Sequence, residues 1–221
     1  MGSREVILGR IRAALGEPTP PRTQPESAED SGAWAYGAPV ALAGDVIDVF
    51  DERVADYKAT VVRVAPADVP TAVVTGLGRA TSVVLPAGVP ASWRDAIAAA
   101  GIEARDDDPP LDRRELDRID AVVTAAAVGV AETGTIVLDH GPDQGRRALT
   151  LVPDLHVCVV RADQVVSGVP EAVARLASAF GEGAPLTWIS GPSATSDIEL
   201  SRVEGVHGPR TLHVILAVEA E

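Results

Sequence analysis

The sequence predicts an α/β protein with a mixed, largely parallel sheet and flanking helices. From residue 45 onward, short runs of β-branched and apolar residues alternate with amphipathic segments of helical length, which is the pattern of βαβ units. Most of these runs are apolar along their whole length, as in parallel strands that are covered on both faces. In the second half of the chain, several strands follow one another without an intervening helix, and these make the sheet mixed.

Each element of this region is predicted from its periodicity and its boundaries. The segment from Asp45 to Ala59 places apolar residues on one side of a helix, and a β-branched strand from Thr60 to Val64 follows it. The other predicted helices cover 68–77, 91–100, a charged stretch that ends at 118, and 170–180. The other predicted strands cover 81–85, 120–128, a strand within 129–138, 149–152, 156–160, 186–190 and 211–218. We expect residues 45–221 to form a single α/β domain.

Residues 1–44 are predicted to form an N-terminal helix and an extended linker. Ser3 can cap a short amphipathic helix that ends at Leu15, because a glycine and a proline follow. Residues 17–39 mix Pro, Ser, Thr, Gln, Glu and Gly without periodicity, as linkers do. Two hypotheses remain open: the helix docks on its own chain, or it docks on a neighbouring subunit of a homo-oligomer with Trp34 as an anchor.

Composition and charge narrow the class of protein. The 221 residues carry a formal net charge of −13 at pH 7, which argues against nucleic acid as a partner. Hydrophobic residues make up 46% of the chain, enough for a buried core. Cys158 is the only cysteine, so a disulfide within the chain, a thiolate-rich zinc site and a self-contained iron–sulfur cluster are excluded. The spacing of the histidines does not predict a metal site.

The sequence also predicts the cellular compartment of the protein and the roles of its cysteine and of two of its histidines. Apolar runs are too short for a membrane span and no secretory signal is visible, so we expect a cytoplasmic protein. Cys158 lies in an apolar strand and is expected to be a small buried hydrophobe. His156 and His213 lie in apolar strands too, and we expect both to be core or sheet-face histidines with satisfied ring nitrogens.

The densest candidate binding segment is 190–199, Ser-Gly-Pro-Ser-Ala-Thr-Ser-Asp-Ile-Glu, at the end of a predicted strand. Small and hydroxyl residues after a strand let backbone N–H groups approach an anion closely. The carboxylates of Asp197 and Glu199, at the end of this segment, suit a ribose hydroxyl or a metal better than a second phosphate. A helix start capped by Ser or Thr is the alternative interpretation. The candidate ligand-binding residues here are Ser190, Gly191, Ser193, Thr195 and Asp197.

Two further segments carry chemically suitable side chains. In Ala-Glu-Thr-Gly-Thr at 131–135, Glu132 is a candidate catalytic base or nucleophile if it points into a cleft, and a solvated turn residue if it does not. In Gly-Val-His-Gly-Pro-Arg at 205–210, His207 is a candidate catalytic residue that could move a proton, and Arg210 could bind a carboxylate or phosphate.

Arg146 and Arg147 form another candidate anion clamp, and Arg147 is included among the candidate ligand-binding residues. As adjacent strand residues, they are expected to point their side chains to opposite sides, so that only one of them faces the site. The sequence leaves open which one does.

Together these segments resemble the LUD-domain family, most closely its lactate utilization protein C branch. The resemblance rests on 131–135, 190–199 and 205–210, with Leu-Val-Pro-Asp-Leu-His-Val at 151–157 and the N-terminal Ser-Arg-Glu-Val-Ile-Leu-Gly-Arg-Ile-Arg. It extends over nearly the whole chain. It implies a fold like that of the NagB/RpiA/CoA-transferase-like group of sugar-phosphate isomerases, deaminases and CoA transferases.

The resemblance also implies a role in oxidising L-lactate to pyruvate, as one of three proteins that act together. The partner subunits would then carry iron–sulfur clusters, and this chain would bind a small anionic ligand, a carboxylate or a phosphate, without a cofactor of its own. Two alternatives remain open. The chain could be a non-catalytic assembly or regulatory subunit, or it could be an isomerase or CoA-transferase-like enzyme that uses Glu132 on a phosphate- or CoA-bearing substrate.

Overall fold

The computed structural model describes residues 3–15, 39–181, 183–192, 194–195, 203–204 and 208–219. The chain divides into two units, residues 1–35 and 36–221. In the first unit, helix α1 covers Ser3–Leu15, which is the helix predicted from the sequence. Trp34 lies outside the described residues, and the predicted domain boundary at residue 44 stays a prediction.

The second unit alternates helices and strands, as predicted. Its described helices are α2 (Val46–Asp56), α3 (Val69–Leu77), α4 (Ala91–Ala99), α5 (Arg113–Leu116), α6 (Val169–Arg175) and α7 (Ala177–Gly181). Its described strands are β1 (Thr60–Val64), β2 (Ser82–Leu85), β3 (Glu103–Asp106), β4 (Ala121–Ala125), β5 (Val128–Val130), β6 (Thr135–Leu138), β7 (Leu155–Arg161), β8 (Val165–Val166), β9 (Thr187–Ile189), β10 (Ala194–Thr195), β11 (Val203–Glu204) and β12 (Thr211–Ala217). Within the described residues, no helix is long and apolar enough to cross a membrane.

Six of these strands form a wholly parallel sheet in the order β1-β12-β7-β4-β2-β3. The last strand, β12, lies between β1 and β7, so His213 pairs with Thr60 on one side and with Val157 on the other. Helices α3 and α4 cover one face of this sheet, where Val73 and Ile97 are fully buried in a cluster with residues of β2, β4, β7 and β12.

The opposite face of the parallel sheet packs on helix α2 and on a second, mixed sheet of order β8-β5-β6-β9. Strands β5 and β6 form an antiparallel hairpin, β9 pairs antiparallel with β6, and β8 pairs parallel with β5. A separate antiparallel pair joins β10 and β11. The predicted α/β class with a largely parallel sheet is therefore confirmed, with the antiparallel pairs placed in sheets of their own.

Several local predictions differ from the structure. The strand predicted at 120–128 is divided into β4 and β5, which belong to different sheets, and the helix predicted at 170–180 is divided into α6 and α7. The strand predicted at 149–152 is wrong, because residues Arg147–Thr150 form a single 3-10 turn. Leu149 is fully buried and Leu151 is exposed, so this short apolar run anchors a turn, which apolar content alone does not distinguish from a strand. Strand β3, Glu103–Asp106, was not predicted, since all four of its residues are exposed at the sheet edge and show no apolar pattern.

Candidate functional site

A cleft of about 300 Å³ opens between the parallel sheet and the edge strand of the second sheet. We call it the Arg147 cleft. The turn of Arg147 and the first residues of β7 and β12 form one side, where His156 pairs with Leu212. Strand β9 and the following residues 190–192 form the other side. The cleft therefore brings together two of the predicted anion-binding segments, which are far apart in the sequence.

Arg147 lines this cleft and also a larger neighbouring cavity, whereas the side chain of Arg146 is held by Asp107. The Nε and Nη2 atoms of Arg146 donate to the two carboxylate oxygens of Asp107 at 2.6 and 2.8 Å, and Nη2 also donates to the carbonyl of Leu111. Partial burial opposes ionisation of Asp107, but these hydrogen bonds leave its pKa below the usual value. Arg147 is exposed and forms no ion pair with any described residue.

Ser190 contributes a hydroxyl to the cleft and is positioned by the hairpin between β5 and β6. Its Oγ lies 2.9 Å from Oγ1 of Thr135, and Oγ1 of Thr133 donates to that same Thr135 oxygen at 2.8 Å. Thr135 can therefore use its own proton toward Ser190, because its alternative acceptor, the Thr133 carbonyl, is farther away at 3.5 Å. In that arrangement the Ser190 proton is free for a ligand.

Gly191 lets the chain pass close to helix α2. Its φ of +85° lies in the region that favours glycine. A Cβ atom at this position would lie 2.5 Å from Cβ of Tyr57, closer than two side chains can approach. A side chain at Gly191 would therefore displace the segment that carries Ser190 into the cleft.

Glu132 lies in the turn between β5 and β6 but does not line the Arg147 cleft. Its backbone N–H donates to the carbonyl of Ser167, and the residue is exposed. It lines a separate cavity of about 390 Å³ together with three other carboxylates and Arg53. The structure thus places Glu132 in a different cavity from the one that Ser190 and Arg147 share.

The remaining predicted site residues lie outside the cleft or outside the described residues. Arg210 pairs with Asp154 at 3.5 Å, with both side chains largely exposed, although the preceding Gly208 and Pro209 do line the cleft. Thr195 belongs to β10, where it pairs with Val203. Ser193, Asp197 and His207 fall outside the described residues.

His156 lies on the cleft wall and is 1% exposed. Its Nε2 atom is 2.8 Å from Oγ1 of Thr124, and burial lowers the pKa of the imidazole to about 4. Nδ1 has no hydrogen-bond partner among the described residues. The sequence analysis expected a core or sheet-face histidine here and did not predict that the ring lines a cleft.

Cys158 lies deeper in the core than His156 and contacts the same threonine hydroxyl. Oγ1 of Thr124 lies 3.7 Å from the Cys158 sulfur, which lies 3.8 Å from the carbonyl oxygen of Ala125. The thiol is fully buried, and this burial raises its pKa to about 12. The prediction of a small buried side chain is confirmed.

For His213 the expectation of satisfied ring nitrogens is wrong, because its Nε2 atom is buried without a hydrogen-bond partner in the described part of the chain. The ring packs on helix α3, where a Cβ on Gly76 would come within 3.0 Å of it. The apolar helix offers no acceptor there, and burial lowers the pKa of His213.

A larger cavity, of about 790 Å³, lies on the other side of Arg147, at the carboxyl ends of β2 and β3. Oγ1 of Thr187, a residue of the Arg147 cleft, is 2.9 Å from Nε2 of His140, which lines the larger cavity. The other ring nitrogen of His140 is 2.8 Å from the carbonyl oxygen of Gly145. Arg147 and this histidine–threonine contact therefore stand between the two spaces.

Comparison with known proteins identifies the family. The profile of the LUD domain matches residues 95–217, more than half of the chain. The chain belongs to the LUD domain family. The matched range includes Arg147, His156, Ser190 and Glu132, so the cleft described above is a feature of the LUD domain of this chain.

Relatives of this LUD domain protein carry an informative name. A protein of Deinococcus radiodurans named lactate utilization protein C is 52% identical over 182 residues, which cover 82% of this chain and 84% of that protein. A lactate utilization protein C of Shouchella clausii is 32% identical over 108 residues, and the alignment spans 48% of this chain and 46% of the relative.

The LUD fold is also matched by a solved structure. The crystal structure of a DUF162 family protein from Deinococcus radiodurans superposes with a TM-score of 0.68 at 48% sequence identity. The match covers 78% of this chain and 96% of that chain. It supports the α/β assignment independently of the sequence patterns.

The sequence analysis did not single out three threonines near the cleft, and it took His156 to be a structural residue. Thr133 and Thr135 belong to a segment that was singled out for Glu132, and they meet because Thr133 lies in the turn that leads into β6 at Thr135. Thr124 and His156 lie in different apolar strands. Only the pairing of β4 with β7 brings them together, and a single sequence does not reveal that register.

Proposed function

We propose that this LUD domain protein is a component of a lactate utilization system and that its Arg147 cleft binds the carboxylate of a small organic acid such as L-lactate. One observation carries the proposal. Arg147 has no ion-pair partner among the described residues and lines a small cleft that Ser190 lines too. A guanidinium whose N–H donors form no ion pair within the described part of the chain can bind an anion that has two acceptor oxygens.

The chemistry of the cleft favours a carboxylate. A guanidinium offers two parallel N–H donors that match the two oxygens of a carboxylate. The Ser190 hydroxyl adds a third donor through the threonine row of the hairpin. A volume of about 300 Å³ is at the small end of ligand pockets. The alternative of acyl transfer through Glu132 gains no support, since that residue lines a different, acidic cavity.

The names of the relatives support the cellular role. Two relatives of this chain are named lactate utilization protein C. Oxidation of L-lactate to pyruvate releases two electrons and two protons, and an acceptor must take the electrons. The one cysteine of this chain is buried and cannot by itself hold an iron–sulfur cluster. In line with what the family resemblance implies, we propose that cytoplasmic partner subunits carry the clusters that accept the electrons and that this subunit binds lactate.

The proposal is tested in extracts of the source organism from which the gene for this chain has been deleted. Lactate-dependent reduction of an artificial electron acceptor is measured after adding back the purified protein. Wild-type protein and the Arg79→Ala control are expected to restore reduction, because Arg79 is exposed and away from the cleft. Arg147→Ala is expected to restore little. Equal restoration by both variants, or full activity without the protein, contradicts the proposal.

A further inference from the structure

We infer that His156 makes the Arg147 cleft selective for α-hydroxy carboxylates over α-keto carboxylates, by presenting an unprotonated Nδ1 to the ligand. The inference deepens the proposed function and rests on it. It draws on the polar row from the cleft wall into the core, formed by His156, Thr124, Cys158 and the carbonyl of Ala125.

One set of hydrogen-bond directions supplies a proton to each of the three contacts in this row. The Ala125 carbonyl can only accept, so the Cys158 thiol donates to it. Thr124 in turn donates its one proton to the Cys158 sulfur. With that proton used, the Thr124 oxygen can only accept from His156, across 2.8 Å. We assign the imidazole proton to Nε2, because the reverse arrangement, in which Thr124 donates to Nε2, leaves one of the two sulfur contacts without a proton.

Register places these side chains together. Side chains alternate along a strand, so His156 and Cys158 of β7 share one face. Thr124 of β4 is the register partner of Cys158, and its hydroxyl reaches both neighbours. The row is enclosed, since Thr124 and Cys158 are fully buried and His156 is 1% exposed. Water therefore has little access to compete for the bonds that fix the tautomer.

The tautomer decides what the ring can offer to a ligand. A neutral imidazole with its proton on Nε2 has a lone pair on Nδ1 and can only accept there. Nδ1 has no partner among the described residues, and the ring lines the same small cleft as Arg147. An α-hydroxyl group can donate to this nitrogen. The oxygen of an α-keto group has no proton to donate and would oppose its own lone pairs to that of Nδ1.

Nδ1 is not sealed in the core. Among the described residues, Nε2 of His213 is the one fully buried side-chain nitrogen or oxygen without a partner, so the slight exposure of His156 leaves its Nδ1 accessible from the cleft that the ring lines. The open Nδ1 in an otherwise satisfied row is explained when a ligand hydroxyl supplies the missing proton. His156 is thus a specificity-determining residue, and Thr124 is the positioning residue that fixes its tautomer.

The test combines calorimetric titration with L-lactate and with pyruvate and nitrogen NMR of the His156 ring. Wild-type protein is expected to prefer lactate by about tenfold, the effect of one hydrogen bond of ordinary strength, and its Nδ1 resonance is expected to be that of an unprotonated nitrogen. Thr124→Val removes the hydroxyl that orients the ring. It is expected to bring the preference close to unity while both acids still bind. Thr75→Val, which removes an exposed hydroxyl on α3, is the matched control and keeps the preference.

Two variants of the ring itself complete the test. His156→Leu is expected to lose the preference, and His156→Asn, whose amide oxygen can accept in place of Nδ1, is expected to retain part of it. A proton on Nδ1 in the wild-type spectrum overturns the inference even if no ring variant folds.

The two proposals fail in different ways. If wild-type protein binds both acids equally or prefers pyruvate, and Arg147→Ala weakens both, the inference about His156 is overturned and the carboxylate site stands. If wild-type protein binds neither acid, the carboxylate site is overturned and the inference falls with it.

Discussion

The Nε2 atom of His156 lies 2.8 Å from Oγ1 of Thr124 on the neighbouring parallel strand. This contact connects the Arg147 cleft to the core of the domain, because His156 lines the cleft while Thr124 is fully buried beside Cys158. A histidine in this position is neutral at physiological pH, since its burial penalises the charged form. The residue therefore affects both the stability of the fold and the chemistry of the cleft.

The buried imidazole makes stability depend on pH in a defined window. The pKa of His156 falls from 6.5 to about 4 in the folded protein, so the unfolded chain binds the additional proton between these values. The stability contribution is present above pH 6.5 and is lost as the pH falls toward 4. We expect the free energy of unfolding by urea to decrease over this range by roughly 3 kcal/mol, beyond the smaller contribution in the same direction from His213.

His156→Asn is the comparison for this measurement, because it removes the titrating ring and keeps His213. The variant is expected to show a distinctly flatter pH profile, whatever its absolute stability. A wild-type profile that is flat between pH 6.5 and 4, or one that the substitution leaves unchanged, contradicts the assignment.

The Cys158 thiol is expected to be inert in the folded protein. It is fully buried, and its pKa is raised to about 12, so almost no thiolate is present near the usual pKa of a free thiol, about 8.5. Iodoacetamide at about that pH should therefore modify the cysteine only after urea unfolding, as mass spectrometry of the intact protein would show. Rapid modification of the native protein would mean that the row from His156 to Ala125 is open to solvent.

The hydroxyl row that ends at Ser190 is expected to contribute to ligand affinity as a unit. Ser190→Ala removes the donor, and Thr135→Val removes the hydroxyl that orients it. Each is expected to weaken lactate binding by about fivefold, equivalent to about 1 kcal/mol. The double variant should be little worse than either single one, since both act through one hydrogen bond. Fully additive losses in calorimetry would show that the two hydroxyls act separately.

Gly191→Ala is expected to lower stability and lactate affinity together. The left-handed φ of Gly191 alone costs about 1–2 kcal/mol with any other residue, and the added methyl group would lie 2.5 Å from Cβ of Tyr57. Gly181→Ala is the control, because it adds a methyl group in helix α7 where nothing lies within 4 Å. Thermal unfolding that is the same for both variants would rule out the close approach of Gly191 to helix α2.

The sequence sufficed for the elements that have a regular apolar period. Strand β1 and helix α1 have the predicted bounds, and β12 ends one residue before the predicted end. It did not suffice for strand β3, whose exposed residues pair with β2 through backbone groups that carry no sequence pattern. The parallel strands were recognisable one by one, but the insertion of β12 between β1 and β7 depends on long-range pairing.

The sequence predicted which residues belong to the site better than it predicted which of them lie together. Arg147, Ser190 and Gly191 were chosen as anion-binding residues, and the fold brings all three to one cleft. The choice between Arg146 and Arg147 depended on Asp107, a partner distant in sequence that holds Arg146. Glu132 has the right chemistry for catalysis, but the orientation of a tight turn decides where its side chain lies.

The central claim is that Arg147 binds the carboxylate of the ligand, and calorimetric titration of L-lactate into wild-type and Arg147→Ala protein tests it most directly. A hydrogen-bonded charge contributes about 1.5–3 kcal/mol, so the variant should bind about 10- to 100-fold more weakly. The Arg79→Ala control should bind as the wild type does. Equal lactate affinity in the wild type and in Arg147→Ala would contradict the account.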